Sequence, residues 1–397
     1  MRIPHLILLI FLIVDLLADG YIYAVICRRV RRAKLWNRAH LISAAVLLLA
    51  LITAVVMPYR QGSDNQLLVV MWVLYAYATV YISKIFFVII DLTAHLPNLW
   101  HHPHWKWVTR AGICGAILIF ISMWWGALLN RFTMDVKPVE ISISDLPESF
   151  DGYTIVQLSD LHLGSYNKNT TYVSRLVDEV NALEPDLIVF TGDIVNRRSA
   201  EMLPFTETLS KLKARDGVVS VLGNHDYGDY SSWKTEEAKR RNLELMIETQ
   251  HKMGWDLLLN ETRTISRGND SIAVIGVENI GDPPFHSYGD LNKAYPTLDD
   301  SVTKILLSHN PAHWQTDIRG NNKVNIPLTL SGHTHAMQCT VGKISPARLR
   351  YKYWGGLYDD GGATDNRLYV NIGIGTVGFP ARIGATPEIT LITLRKK

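Results

Sequence analysis

Apolar positions follow two regimes along this chain. Over the first third they run almost unbroken, in stretches of roughly 4–26, 41–58, 67–92 and 110–129. Each approaches the ~20 residues a helix needs to cross a hydrocarbon core. Beyond residue 130 the apolar runs shorten and alternate with segments of helical spacing. Strands are predicted over Tyr153–Leu158, Leu187–Thr191, Val218–Leu222, Ile272–Ile275, Lys304–Ser308, Leu328–Ser331, Leu368–Asn371 and Ile389–Leu394. Helices are predicted over Thr171–Leu183, Glu201–Lys213 and Thr235–Met253. The pattern divides the chain into a four-helix transmembrane region, 1–130, a linker and first strand, 131–150, and a layered α/β domain, 151–397.

Charge refines the membrane half. Met1-Arg2 is a poor basic leader and no small-x-small cleavage site follows the first apolar run, so that run is expected as a retained span. The stretch Cys27–His40 carries Arg28, Arg29, Arg31, Arg32, Lys34 and Arg38. It reads as a cytoplasmic loop. The loop around Tyr59-Arg60-Gln61-Gly62 is nearly neutral and is expected outside. The third loop, 95–107, contains Lys106, ends at Arg110 and returns inside. Four spans then place both termini, and the second half of the chain, on the extracytoplasmic face. Asp15, Asp19 and Lys84 fall inside spans, where charge is costly and faces the bundle interior, as structural pairing or as function. His95, His101, His102 and His104 in the third loop are either a metal cluster or part of an interfacial belt with Trp100, Trp105 and Trp107. The net charge of +3 gives no reason to expect nucleic acid as a partner. Three scattered cysteines form neither a zinc pattern nor a disulfide framework.

The chemistry sits where the strands of the second half stop. Five apolar runs finish in Asp160-Leu161-His162, Gly192-Asp193, Gly223-Asn224-His225-Asp226, His309, and Gly332-His333-Thr334-His335. One Asp after a strand is usually a turn or a cap. Five such endings in order are hard to obtain from turn chemistry. In α/β sheets ligands gather at the carboxyl ends of strands, so these residues are expected to converge.

On these five blocks the region 139–397 resembles the calcineurin-like metallophosphoesterases, and with its spans the chain resembles their membrane-anchored bacterial branch. The resemblance implies a four-layer αββα sandwich behind the transmembrane helices. It implies two divalent ions (Mn, Fe, Zn or Ni). One would be held by Asp160, His162, Asp193 and His335, the other by Asp193, Asn224, His309 and His333, with Asp193 bridging. Such a pair, ~3.5–4 Å apart, clamps substrate oxygens and acidifies a bridging water, which attacks phosphorus in line. His225 matches the histidine that assists transfer. Asp226 either orients His225 or caps the following turn. Imidazole and oxygen ligands suit those metals, and the absence of thiolates excludes a zinc cage.

The expected activity is metal-dependent hydrolysis of a phosphoester or pyrophosphate, with a lipid or lipid-linked substrate suggested by membrane attachment. The expected location is a bacterial inner membrane. The alternatives are a tethered phosphodiesterase or nucleotidase acting on soluble substrates, a non-catalytic metal-binding membrane receptor, and a transporter with a regulatory head. Gly192-Asp193 lacks the Asp-Arg-Gly continuation of protein serine/threonine phosphatases. Ala336-Met337-Gln338 stands where relatives often carry glycines. Gly373-Ile374-Gly375-Thr376-Val377-Gly378 fits GxGxxG, but Phe379-Pro380 follows it rather than a helix, so it is not a dinucleotide fingerprint.

Overall fold

A computed structural model describes residues 5–57, 62–281, 286–295, 302–321, 323–362 and 365–397. The chain divides after Ala127 into two compact units.

The first unit is four helices: α1 (His5–Arg29), α2 (Ala33–Val56), α3 (Asp64–Ala94) and α4 (Lys106–Leu128). All four are long and apolar enough to cross a membrane. The basic stretch predicted as a loop is mostly helical. Arg28 and Arg29 close α1, Lys34 and Arg38 lie in α2, and Val30, Arg31 and Arg32 make the turn, with Arg32 at φ 66°. Lys, Arg, Leu and Ala are good helix formers, so helix continues where hydrophobicity stops. The neutral loop falls on residues 58–61, outside the described residues, up to Gly62. Ser63 and Gln66 form a reciprocal capping box that starts α3.

The intramembrane charges are paired. Asp15 accepts from the Tyr77 hydroxyl. Asp19 accepts from Tyr81 Oη and Lys84 Nζ, both at 2.8 Å. Asp91, which the sequence reading passed over, accepts from Tyr21 Oη (2.8 Å), Arg29 (3.2 Å) and Thr109 Oγ1 (2.5 Å). Buried carboxylates at such depth persist only with partners of this kind. His95 faces Arg29 and stacks on His104. Among the described residues, neither group of metal-capable side chains includes a histidine of this loop.

The second unit runs β1 (Asp135–Ile143), β2 (Thr154–Leu158), α5 (Thr171–Ala182), β3 (Leu187–Phe190), α6 (Thr206–Leu209), β4 (Val218–Ser220), α7 (Glu236–Lys252), β5 (Trp255–Leu257), β6 (Glu261–Arg267), β7 (Asp270–Gly276), α8 (Leu291–Ala294), β8 (Thr303–Leu307), β9 (Leu328–Ser331), β10 (Gly356–Asp359), β11 (Arg367–Val370) and β12 (Glu388–Lys396). Two six-stranded sheets result, ordered β1-β12-β2-β3-β4-β5 and β10-β11-β9-β8-β7-β6. β2 to β5 are parallel, as are β7, β8, β9 and β11.

Alternation builds the layers. Ile155, Val189 and Val219 on one sheet meet Val274, Ile305 and Leu330 on the other in a core between the sheets. The opposite faces of the first sheet carry Val156, Ile188 and Val218, covered by Val173, Leu176 and Val180 of α5 and Met246 of α7. The second sheet turns Ile275, Leu306 and Leu368 toward Trp314, Ile318 and Ala294. This is the expected αββα sandwich, with an outer layer on the second sheet reduced to α8 and the single turn Trp314–Ile318.

One predicted element is corrected. The helix predicted over Glu201–Lys213 is a 3-10 segment, Ser199–Phe205, followed by the four-residue α6. Pro204 sits inside that segment and denies the backbone a donor. Within 131–150, read as a linker and first strand, the nine-residue β1 runs parallel to β12. Its Pro138 and charged Lys137 and Glu140 disguise a strand, and they are tolerated because β1 is an edge.

Candidate metal centre

The two sheets present the ends of their central strands to one place. β2 delivers Asp160 and His162, β3 delivers Asp193, and β4 delivers Asn224, His225 and Asp226. From the other sheet β8 delivers His309, and β9 delivers His333 and His335. The chain must turn sharply just after each strand to aim these side chains inward. Asp160, His162, Asp193, His333 and His335 all have positive φ, between 45° and 73°. Non-glycine residues rarely accept that region, and strain of this kind collects at functional sites. Glycines clear the remaining space. A Cβ on Gly223 would lie 2.2 Å from Asp193 Oδ1, and one on Gly332 would lie 1.9 Å from Ser159 Oγ.

Two groups of donor atoms follow. Asp160, His162, Asp193 and His335 offer ligand atoms within 4.8 Å of one another, as do Asp193, His309 and His333. His162 Nε2 lies 3.0 Å from His335 Nε2, and His335 Nε2 lies 3.1 Å from Asp160 Oδ1. Asn224 Oδ1 joins the second group, 3.1 Å from His309 Nε2 and 2.9 Å from His333 Nδ1. One oxygen belongs to both groups. Asp193 Oδ2 is 3.6 Å from His162 Nε2 and 3.3 Å from His309 Nε2, while Asp193 Oδ1 accepts the His225 N–H at 2.8 Å.

Buried imidazole nitrogens facing each other, with carboxylate oxygens among them, form the N/O donor set of transition-metal sites. These residues therefore fit a pair of divalent ions. Their outer contacts fit as well. His162 Nδ1 and His309 Nδ1 meet the carbonyls of Val195 (3.1 Å) and Thr191 (2.7 Å), which leaves each Nε2 lone pair for a ligand. His335 differs, since its Nδ1 lies 3.2 Å from Nη2 of the buried Arg382.

Burial and mutual charge set the protonation states. Burial and the neighbouring His335 and His225 push His162 well below its ordinary value. Burial and His309 bring His333 down to about 3. Burial raises Asp193, but the nearby His309 and His225 overcome it and hold the carboxylate well below its usual range. Asp160 is likewise held low, with burial outweighed by His335. Burial pulls His309 down, yet the Asp193 carboxylate and its hydrogen bond carry it up to about 9.

His225 and Asp226 part company. His225 Nδ1 lies 2.5 Å from the Asn196 carbonyl, and its ring stacks on Tyr230 at 4.0 Å. Asp226 does not orient it. The Asp226 carboxylate accepts backbone N–H groups of Gly223 (2.8 Å), Asp193 (2.9 Å), Ile194 (3.0 Å) and Val195 (3.3 Å). All four donors precede Asp226 in the chain, so the carboxylate clamps the Gly223 and Asp193 loops together and does not cap the turn that follows it. Burial and the Asp193 carboxylate push Asp226 up to about 7, against the pull of the Gly223 and Val195 N–H groups.

Sequence reasoning missed several neighbours. Tyr230 Oη accepts from Asn224 Nδ2 at 2.8 Å, so one phenol positions both Asn224 and His225. Tyr351 presents its ring to His333 at 5.6 Å. Arg382 gives Nε to the Gly375 carbonyl (2.7 Å) and Nη2 to that of Ile372 (3.0 Å). The 373–378 segment has no helix after it and braces the first ligand, through Ile374 N–H to Ser159 O (3.1 Å) and Gly375 N–H to Asp160 O (2.7 Å). Only Tyr230, near the Asn-His-Asp block, carried a signal in sequence.

Comparison with known proteins agrees with this centre. Residues 153–337 match the calcineurin-like phosphoesterase family, and residues 1–131 match the family described as "Probable Calcineurin-like phosphoesterase, transmembrane domain". The chain is 33% identical over 268 residues to the uncharacterized metallophosphoesterase YkuE of Bacillus subtilis, covering 64% of this chain and 83% of that one. It is 32% identical over 273 residues to a transmembrane protein with metallophosphoesterase domain from Danio rerio, and 31% over 265 to one from Bos taurus. Those two alignments each cover 66% of this chain and 57% of the relative, so the chain spans little more than half of their length. With a phosphoesterase match on its α/β unit and a transmembrane match on its helical unit, this chain belongs to the calcineurin-like metallophosphoesterases as a membrane-spanning member.

Proposed function

We propose that the chain is a dinuclear metal-dependent phosphoesterase, anchored in a bacterial inner membrane, which hydrolyses a lipid or lipid-linked phosphoester or pyrophosphate. The observation that carries the dinuclear reading is Asp193 Oδ2, which faces His162 of one donor group and His309 of the other. The proposed ligands are Asp160, His162, Asp193 and His335 for one ion and Asp193, Asn224, His309 and His333 for the other. Bound there, two ions supply positive charge for a phosphoryl group and acidify a water. The Asn224 amide oxygen adds a ligand without adding negative charge. His225 donates Nδ1–H to the Asn196 carbonyl, so only as the imidazolium, with a second proton on Nε2, can it give a proton to the departing oxygen and be left neutral. Tyr230 holds that ring plane.

The extracytoplasmic placement is supported by basic residues. Arg28 and Arg29 close α1, Lys34 and Arg38 open α2, and Lys106 and Arg110 open α4. The Arg29–Asp91 ion pair puts the α1–α2 turn and the end of α3 at one end of the bundle. Positive charge marks that end as cytoplasmic, and α4 then leaves on the other side.

The test is a screen of purified full-length protein against phosphomonoesters, diesters, pyrophosphates and lipid phosphoesters, with Mn, Zn or Mg, beside elemental analysis. Two metal equivalents and preferred turnover of bilayer-presented lipid are expected. Equal or better turnover of soluble diesters or nucleotides would move the assignment to a tethered phosphodiesterase. Two metals with no turnover of any class would move it to a receptor.

A further inference from the structure

Beyond residue 130, six described large apolar side chains are more than a third exposed. Five of them, Met337, Val341, Ile344, Leu349 and Leu357, lie within twenty-one residues of sequence directly after the last ligand. Val341, Ile344 and Leu349 are 77%, 62% and 89% exposed. From Cys339 to Tyr358 the sequence has four basic residues, including the exposed Lys343 and Arg348, and no Asp or Glu.

This stretch is ordered and tied to the metal centre. Val341 and Ile344 exchange both backbone hydrogen bonds (2.8 and 3.2 Å) across a tight turn that puts Lys343 at its tip. Ser345 accepts the Ala347 N–H and so caps the short turn Pro346–Leu349, and it gives its hydroxyl to the Ala336 carbonyl at 2.6 Å. Thr334, between the two histidines, donates to the Trp354 carbonyl at 2.6 Å. Apolar tips interleaved with cations of one sign, held rigidly, match the interior edge and the headgroups of an anionic bilayer. A bilayer is also at hand, because the same chain carries four candidate spans.

We propose that the hairpin Val341–Ile344 and the turn Pro346–Leu349 form a second membrane contact, which docks on anionic lipid and brings headgroups to the His333 side of the centre. This deepens the reading of the substrate as a membrane phosphoester and rests on it for the delivery role alone. The apolar tips enter the headgroup boundary, and each cation at an anionic surface strengthens the contact about fivefold.

Hydrogen–deuterium exchange of the full-length chain tests this, in nanodiscs of phosphatidylcholine alone and of equal parts phosphatidylcholine and phosphatidylglycerol. Exchange over residues 341–350 should slow by about tenfold or more in the anionic discs. In K343E/R348E and in I344S/L349S that protection should be lost while metal content stays at the wild-type level. Equal exchange of the wild type in both discs overturns the proposal, and this comparison needs no variant to fold. Turnover separates the two ideas. Protection without hydrolysis of a disc-borne lipid phosphoester keeps the docking surface and removes the lipid substrate. Hydrolysis without protection keeps the substrate and removes the docking surface.

Discussion

Asp226→Asn distinguishes a residue that serves His225 from one that clamps ligand loops. The Asp226 carboxylate takes Ile194 and Val195 N–H on Oδ1, and Asp193 and Gly223 N–H on Oδ2. Asparagine keeps one oxygen and replaces the other by an NH2 that cannot accept. Two buried donors lose their acceptor whichever way the amide turns. Each such loss costs about 1–3 kcal/mol, and the two surviving bonds fall from charged to neutral strength. The two lost bonds alone come to about 2–6 kcal/mol. In a unit of this size ~1 kcal/mol moves the melting temperature by ~2–4 °C, so a fall of roughly 10 °C is expected. Asp193 moves with its loop, so metal retention should fall in parallel. Thermal melts, elemental analysis and a leaving-group series on purified full-length protein read the three effects. A melting temperature within about 2 °C of wild type, full metal content and a rate loss confined to poor leaving groups would refute the clamp and restore Asp226 as the orienter of His225.

Other substitutions probe the remaining assignments. Asp193→Ala removes the shared oxygen and should leave less than one ion per chain and no activity; near-normal metal content would contradict the bridge. His225→Ala should keep both ions and slow turnover by ~10²–10⁴, with less loss on acidic leaving groups, and equal loss on every leaving group would give His225 a binding or structural role instead. In metal-free protein His309, held up to about 9, carries a proton that an ion must displace. Metal affinity should therefore rise with pH until about 9, with proton release visible by calorimetry in buffers of different ionisation enthalpy. His309 titrates above its ordinary value, so the stability it gives the metal-free fold is present at low pH and lost as pH rises through about 9, and melts at stepped pH should show this. For sidedness, Glu207→Cys in a cysteine-free background, at a side chain 90% exposed, should react with an impermeant thiol reagent on intact cells once any outer membrane is permeabilised; the nearby Ser199 is fully buried and unsuitable.

The parts of the fold legible in sequence were those governed by local pattern. Thr171–Ala182 shows its apolar stripe openly, and Thr235 is visible as the cap of α7. The five strand endings were legible because the chemistry needs particular side chains immediately after short apolar runs. The unreadable parts depend on distant chain. β1 is a strand only because β12, some 250 residues later, offers an edge, and its own Pro138 and charges argue against one. Asp226 looks like a partner for His225 from adjacency. The donors its carboxylate actually accepts from are N–H groups on the loop around Asp193, more than thirty residues away. Arg382 reaches His335 from 47 residues further along the chain, and nothing local marks it.

That dependence on distant chain also explains how the centre tolerates its strain. Five proposed ligands sit at positive φ, and Ala336, Met337 and Gln338 follow His335 in the same region, where glycines were expected. A left-handed non-glycine residue costs roughly 1–2 kcal/mol, so no single loop sustains this conformation alone. Each is held from outside. Asp226 fixes the Asp193 loop, Ile374 and Gly375 fix the Asp160 loop, and Gln338 bonds both Phe379 O and Val377 N–H, while Ile383 N–H bonds its carbonyl. The last segment before β12 thus braces ligands from β2 and β9 at once. Loosening it should act first on the donor group of Asp160, His162, Asp193 and His335, so Gln338→Ala, which releases Phe379 and Val377, is expected to weaken one ion more than the other. Equal weakening of both ions on stepwise chelation, or of neither, would show that this segment does not favour one group.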